Sequence, residues 1–229
     1  MDSRSSNTKS PFETLPLEAR QAVMRALPDV ESLKWLVLAC SSFYHAFRDA
    51  ESLITVRVLL NEVPLDVLPE AVAVLESARN GSWTQQGIID FSSQHLDRRM
   101  PPPQSWTLAD ALSISKLYSH VHYFATDFAC KCLGIQALKR GVQQSSPSQL
   151  EIARIERTLY RFEMYCNFFR DFRNPILSVD EQREILFSRF SPCENEQLAC
   201  IHNYLYGKVS PGEFESTYCN LDTDFGSFQ

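Results

Sequence analysis

Between Ser148 and Phe172 the chain carries its longest helical rhythm. Ile152, Ile155, Leu159, Phe162, Cys166 and Phe169 recur at alternating steps of three and four, and Tyr160, Met164, Tyr165 and Phe168 widen the stripe. That spacing places them on one side of an α-helix and on both faces of a strand, so it selects the helix. Ser148 supplies an N-cap, and 25 residues at 1.5 Å each span roughly 37 Å. A helix this apolar around much of its girth needs other elements on most sides, which places it at the centre of a helical core.

The rest of the chain has the same grammar. Pro16 suits a first helical turn, with Ala19, Val23, Ala26 and Leu27 on one face and Pro28 as the stop. Asp29 caps a second helix bearing Leu33, Leu36, Val37 and Cys40. The Ser41-Ser42 pair is expected to break it before Phe43, Tyr44 and Phe47. "LITVRVLL" (Leu53–Leu60) has strand-like β-branching, but Val56, Leu59, Leu60 and Val63 keep helical spacing and no partner strand is visible. Pro69 starts a helix that ends near Asn80-Gly81, and Thr84 caps a weaker one. Thr107 and Asp110 form a capping-box pattern ahead of Ile114, Leu117, Tyr118, Val121, Phe124, Ala125, Phe128 and Cys132, with Gly134 as the expected kink or end. "DEQREILFSRF" and "CENEQLACIHNYLYG" read as two more helices. The expectation is an all-α chain of about ten helices: residues 1–10 frayed, an N-terminal module over 11–54, and a helical domain over 55–229 with loops at 98–106 and 140–148.

Composition narrows function more than it assigns it. Hydrophobic residues make up 44% of the 229, enough for a packed core. The net charge of −6 opposes a phosphate-backbone binder, so no nucleic acid is expected. The longest apolar run, Trp35–Cys40, is far short of the ~20 residues that cross a bilayer, so no membrane span is expected. "MDSRSSNTKS" has no apolar segment after its charges and does not read as a secretory signal. The odd count of seven cysteines then points to reduced thiols in the cytoplasm or nucleus. No glycine-rich phosphate loop and no regular repeat is present, so no cofactor is expected.

The chemically suggestive residues have plainer explanations. His120 and His122 near Cys130 and Cys132, and Cys200 near His202, are zinc-ligand types. Residues two apart on a helix diverge by about 200°, however, so neither pair serves one metal. No histidine is placed to activate a cysteine at a helix N-terminus. The pairs Asp180/Glu181 and Glu194/Glu196 lie at helix starts, where the macrodipole accounts for them. Arg154, Arg157 and Arg161 line one helix face with Glu151 and Glu156 in pairing reach. No catalytic or metal residue is assigned. Trp35 is read either as core or as an interface anchor, a role tryptophan often takes.

The segment Leu15–Phe47 is too short to form a stable core without extra support, so it packs on its own chain or on a partner. Its Leu15-Pro16-Leu17-Glu18 start, then Val23, Leu27-Pro28, Leu33, Leu36 and Cys40-Ser41-Ser42-Phe43-Tyr44, resemble the F-box motif. The variant is similar to F-box proteins of filamentous fungi, and "ITVRVLLNEVPLDVLPEAVAVLESAR", "RFEMYCNFF" and "SPCENEQLACIHNYL" extend the likeness along the chain. Ala19, Ser41 and Cys193 depart from that pattern, which favours Ile or Val, Lys or Arg, and Trp there.

The resemblance implies a non-enzymatic adaptor. Such segments dock on the Skp subunit of cullin–RING ubiquitin ligases, and the remainder recruits a protein substrate, here unidentified. By position, Leu15 and Pro16 would lead the docking surface. Val23, Leu27, Leu33, Leu36, Val37, Cys40 and Phe43 would divide between that surface and internal packing. The alternative is a helical scaffold in which this segment is absorbed into the core and serves no ligase.

Overall fold

The computed structural model describes residues 15–97, 106–140, 146–170 and 176–209. The expected frayed N-terminus and most of both expected loops lie outside them. The chain is all-α, with ten helices and no strand among the described residues. They are α1 Leu17–Arg25, α2 Val30–Ala39, α3 Ser41–Arg48, α4 Glu51–Glu62, α5 Leu68–Arg79, α6 Gln85–Ser92, α7 Leu108–Arg140, α8 Gln149–Phe168, α9 Val179–Ile185 and α10 Pro192–Val209. A π-helical turn, Ser93–Asp97, extends α6, and one 3₁₀ turn, Phe187–Arg189, follows α9.

Local chemistry sets most of the boundaries. Asp29 caps α2 by accepting from the Ser32 amide at 2.7 Å, and Thr84 caps α6 through the Gly87 amide at 3.1 Å. Reciprocal capping boxes start α8 (Ser148 with Glu151) and α9 (Ser178 with Glu181). Thr107 and Asp110 form the same reciprocal pair ahead of α7, with the shorter Asp side chain replacing Glu.

Three boundaries differ from the sequence reading. Gly134 does not end its helix; α7 runs on to Arg140, because a lone glycine costs only about 1 kcal/mol in a long helix. The long helix α8 stops at Phe168, short of Phe172. The break after α2 falls at Cys40, which is extended (φ −156°, ψ 155°), so Ser41-Ser42 open α3 rather than ending α2.

α8 is central. It packs against α5, α7 and α10, with Ile152, Leu159, Tyr160, Met164 and Phe168 buried. Trp83 and Phe91 meet Phe168 edge-on at ring distances of 4.8 and 5.6 Å. The N-terminal helices share this core: α1 packs on α3 and α4, and α2 packs on α3, α4 and α7. The expected division at residue 54 lies within α4, where Ile54, Val58 and Leu59 are buried.

Candidate functional site

The Leu-Pro segment is held to the body by polar clamps. The Asn61 amide donates to the carbonyls of Arg25 (3.0 Å) and Leu27 (2.8 Å), closing the end of α1. Its neighbour Glu62 accepts from the Val30 amide at 3.1 Å, satisfying the first turn of α2. Arg20 and Gln21 on α1 donate to the carbonyls of Ser42 (2.6 Å) and Ala46 (3.1 Å) on α3. The outward faces of α1, α2 and α3 are thereby fixed relative to one another.

What those faces carry is apolar. Trp35 is 61% exposed and Leu38 is 65% exposed, one turn apart on α2. Ala22 and Val23 are exposed on α1, as are its two capping residues Pro16 and Ala26, and Tyr44 is exposed on α3. Lys34 Nζ sits 4.7 Å from the Trp35 ring centroid, a cation–π contact that covers part of one ring face. Trp35 is therefore a surface residue, not a core one. The sequence held a signal for this. At about 100° per residue, six consecutive apolar positions from Trp35 to Cys40 circle the helix, so a helix buried on one side must expose some of them.

The residues assigned to docking by resemblance separate by burial. Leu33, Val37 and Phe43 are buried in the chain's own core. Leu15, Leu27, Leu36 and Cys40 are half-buried, and Pro16 and Val23 are exposed. Leu38 and Tyr44 join the accessible set, although neither was among the residues assigned to docking.

The other candidates resolve into structural roles. Glu181 completes its capping box. Glu194 accepts from the Ser191 amide at 2.9 Å and from Arg161 at 2.6 Å. Two of the three arginines of α8 find long-range partners: Arg157 pairs with Asp66 at 3.5 Å, and Arg161 with Glu194 and Glu70, whereas Arg154 lies in electrostatic reach of Glu151 on its own helix. Glu156 is buried and meets His122 Nδ1 at 2.7 Å, while Glu151 serves its cap. Burial, reinforced by Glu163, pushes the Cys166 thiol up to about 11, and burial also raises Cys132 and Cys200. Such thiols are mostly protonated at neutral pH and are poor nucleophiles. Cys130 and Cys193 are exposed. Among the described residues, no helix is long and apolar enough to cross a membrane. No protein-family model, curated protein or solved structure matches the chain.

Proposed function

We propose that the chain is an F-box-type adaptor that docks on a Skp-type subunit of a cullin–RING ubiquitin ligase and presents a protein substrate, without catalysis of its own. The observation that carries this reading is the exposed apolar face of α2, Trp35 with Leu38, within a segment that resembles the F-box motif. A solvent-facing tryptophan beside a leucine has the composition of an interface centre. Pro16, Val23 and Tyr44 extend the accessible apolar surface across the neighbouring helices. In this reading Leu33, Val37 and Phe43 act from within, by holding the three helices in shape. The setting is intracellular, in cytoplasm or nucleus, where the ligase machinery operates.

A second reading has its own observation. The inner face of α2 packs on α7 and belongs to the continuous core. This favours a helical scaffold with a degenerate F-box-like segment and no ligase role. Titration of the purified full chain with the Skp-type subunit of its host, followed by calorimetry, separates the two. Saturable binding supports the adaptor. Its absence at tens of micromolar, about 6–7 kcal/mol of binding free energy, supports the scaffold.

A further inference from the structure

Arg161 and Phe190 line two cavities. One, of about 180 Å³ toward α5, is also lined by Glu70 and Glu194, the carboxylates that pair with Arg161. The other, of about 310 Å³, lies between α8, the 3₁₀ turn and α10, and its walls are mostly apolar. None of the roles described above uses this second space.

Burial grades across it. Leu186, Phe190 and Leu198 are buried, Phe162, Tyr165 and Phe187 are half-buried, and Ala199 and His202 are exposed. The cavity therefore has an apolar floor and a mouth, the mouth at the Ala199–His202 edge of α10. None of its large apolar side chains is exposed, unlike Trp35 and Leu38 on α2. A projecting pair such as those suits a broad protein surface, whereas a recess suits a guest small enough to enter it.

Three observations define that guest. The volume is about twice the ~150 Å³ of an apolar cavity that holds one benzene, which corresponds to two fused rings. Four of the nine lining residues are aromatic, and they come from two sides: Phe162 and Tyr165 from α8, Phe187 and Phe190 from the 3₁₀ turn and its C-cap. Aromatic pairing adds about twofold to tenfold in affinity beyond the area buried, which favours planar rings over a saturated guest of the same size. The polar groups of the wall are engaged: Arg161 pairs with Glu194 at 2.6 Å and lies 4.9 Å from the Phe190 ring centroid, and the Tyr165 hydroxyl donates to Gln182 at 3.0 Å. At the mouth, His202 stacks on Tyr206. A charged group drawn inside would give up water without meeting an unpaired opposite charge.

We infer that this cavity is a binding site for a free, uncharged, planar aromatic molecule of about two fused rings. The inference is independent of Skp docking. Within the adaptor reading, it places a small-molecule site in the helical body, on helices that do not include α2.

2-Naphthol is the probe, and three controls each change one property. Decahydro-2-naphthol keeps the skeleton and loses the planar rings, phenol halves the ring system, and 2-naphthoate adds a negative charge. In ¹⁵N-resolved NMR titrations of the full chain, 2-naphthol is expected to shift the amide signals of Phe162, Phe187 and Ala199 saturably, with a Kd of about 0.1–1 mM. The decahydro compound is expected to bind about twofold to tenfold more weakly, and phenol and 2-naphthoate at least about tenfold more weakly. Ala199→Leu narrows the mouth from an exposed position. It is expected to weaken 2-naphthol at least about tenfold while leaving Tm in place. Phe162→Leu keeps an apolar wall and removes one ring, so it should reduce the preference for 2-naphthol over its decahydro analogue. A capped Ala-Trp-Ala peptide tests the source of the rings: equal or weaker binding than 2-naphthol supports a free molecule, and tighter binding overturns that in favour of a polypeptide. No saturable shift with 2-naphthol, equal affinity for any of the three controls, an unchanged affinity in Ala199→Leu or an unchanged preference in Phe162→Leu would overturn the assignment.

Discussion

The carboxylate of Glu62 joins two distant parts of the chain: it accepts from the Val30 amide at 3.1 Å and from the Ser115 hydroxyl at 2.7 Å. One side chain on α4 therefore closes the open N-terminus of α2 and ties it to α7. Glu62→Ala leaves both donors without their acceptor. The expected loss is about 2 kcal/mol, read as a lower urea midpoint at unchanged slope. Glu62→Gln retains one carbonyl acceptor and should recover part of it.

The shared core predicts how the molecule unfolds. Leu33 is fully buried on α2, a helix that packs on α3, α4 and α7. Leu33→Ala should cost about 2–5 kcal/mol and move a single transition for the whole chain. If α1–α3 instead melted early, with the signals of α8 unchanged, the N-terminal helices would be an independent module.

Glu156 is buried on α8, and its hydrogen-bond partner is the half-exposed His122 on α7. His122→Ala should cost about 1–3 kcal/mol, because the carboxylate stays buried and loses its donor. His122→Gln, which keeps an N–H donor, should restore part of the loss in thermal unfolding. No rescue by Gln would assign the effect to packing.

Acid should release the contact between α8 and α10. Partial burial pushes the Glu194 carboxyl up, but hydrogen bonds from the Ser191 amide, Arg161 and the Ser191 hydroxyl outweigh it and hold the group down at about 2. A depressed folded pKa gives stability that is complete above the unfolded value of 4.5 and is lost as pH falls toward about 2. Over that window wild type should lose more stability than Glu194→Gln. Parallel profiles would show that the pair contributes nothing there.

What the sequence made legible was local. Capping at Asp29, Thr84, Thr107 and Ser148 depends on residues three apart, and each of these side chains does cap in the structure. Helical period separated strand from helix even in the β-branched "LITVRVLL". Long-range pairing was not legible. Arg157 and Asp66 are 91 residues apart, and Arg161 and Glu194 are 33 apart, so helix spacing pointed to the nearer Glu151 and Glu156 instead. Periodicity also shows that a helix has faces but not which face a neighbour covers. That is why Trp35 stayed ambiguous, and why Leu33, Val37 and Phe43 could not be parted from the surface residues. The cavity of about 180 Å³ lined by α5, the π-helical turn, α8 and the start of α10 was invisible for the same reason, since its walls come from segments far apart in the chain.

The exposed apolar face of α2 can be altered without touching the core. Trp35→Ser with Leu38→Ser changes two exposed side chains, so folding stability should move by no more than about 0.5 kcal/mol per site. The decisive measurement is calorimetric titration of the host's Skp-type subunit into wild type and this double variant, with thermal unfolding of both as the folding control. If this face docks as proposed, wild type binds at about tens of micromolar or tighter, and the folded variant loses at least thirtyfold in affinity, about 2 kcal/mol. A wild type that releases no binding heat, or a variant that binds as tightly as wild type, would contradict that proposal.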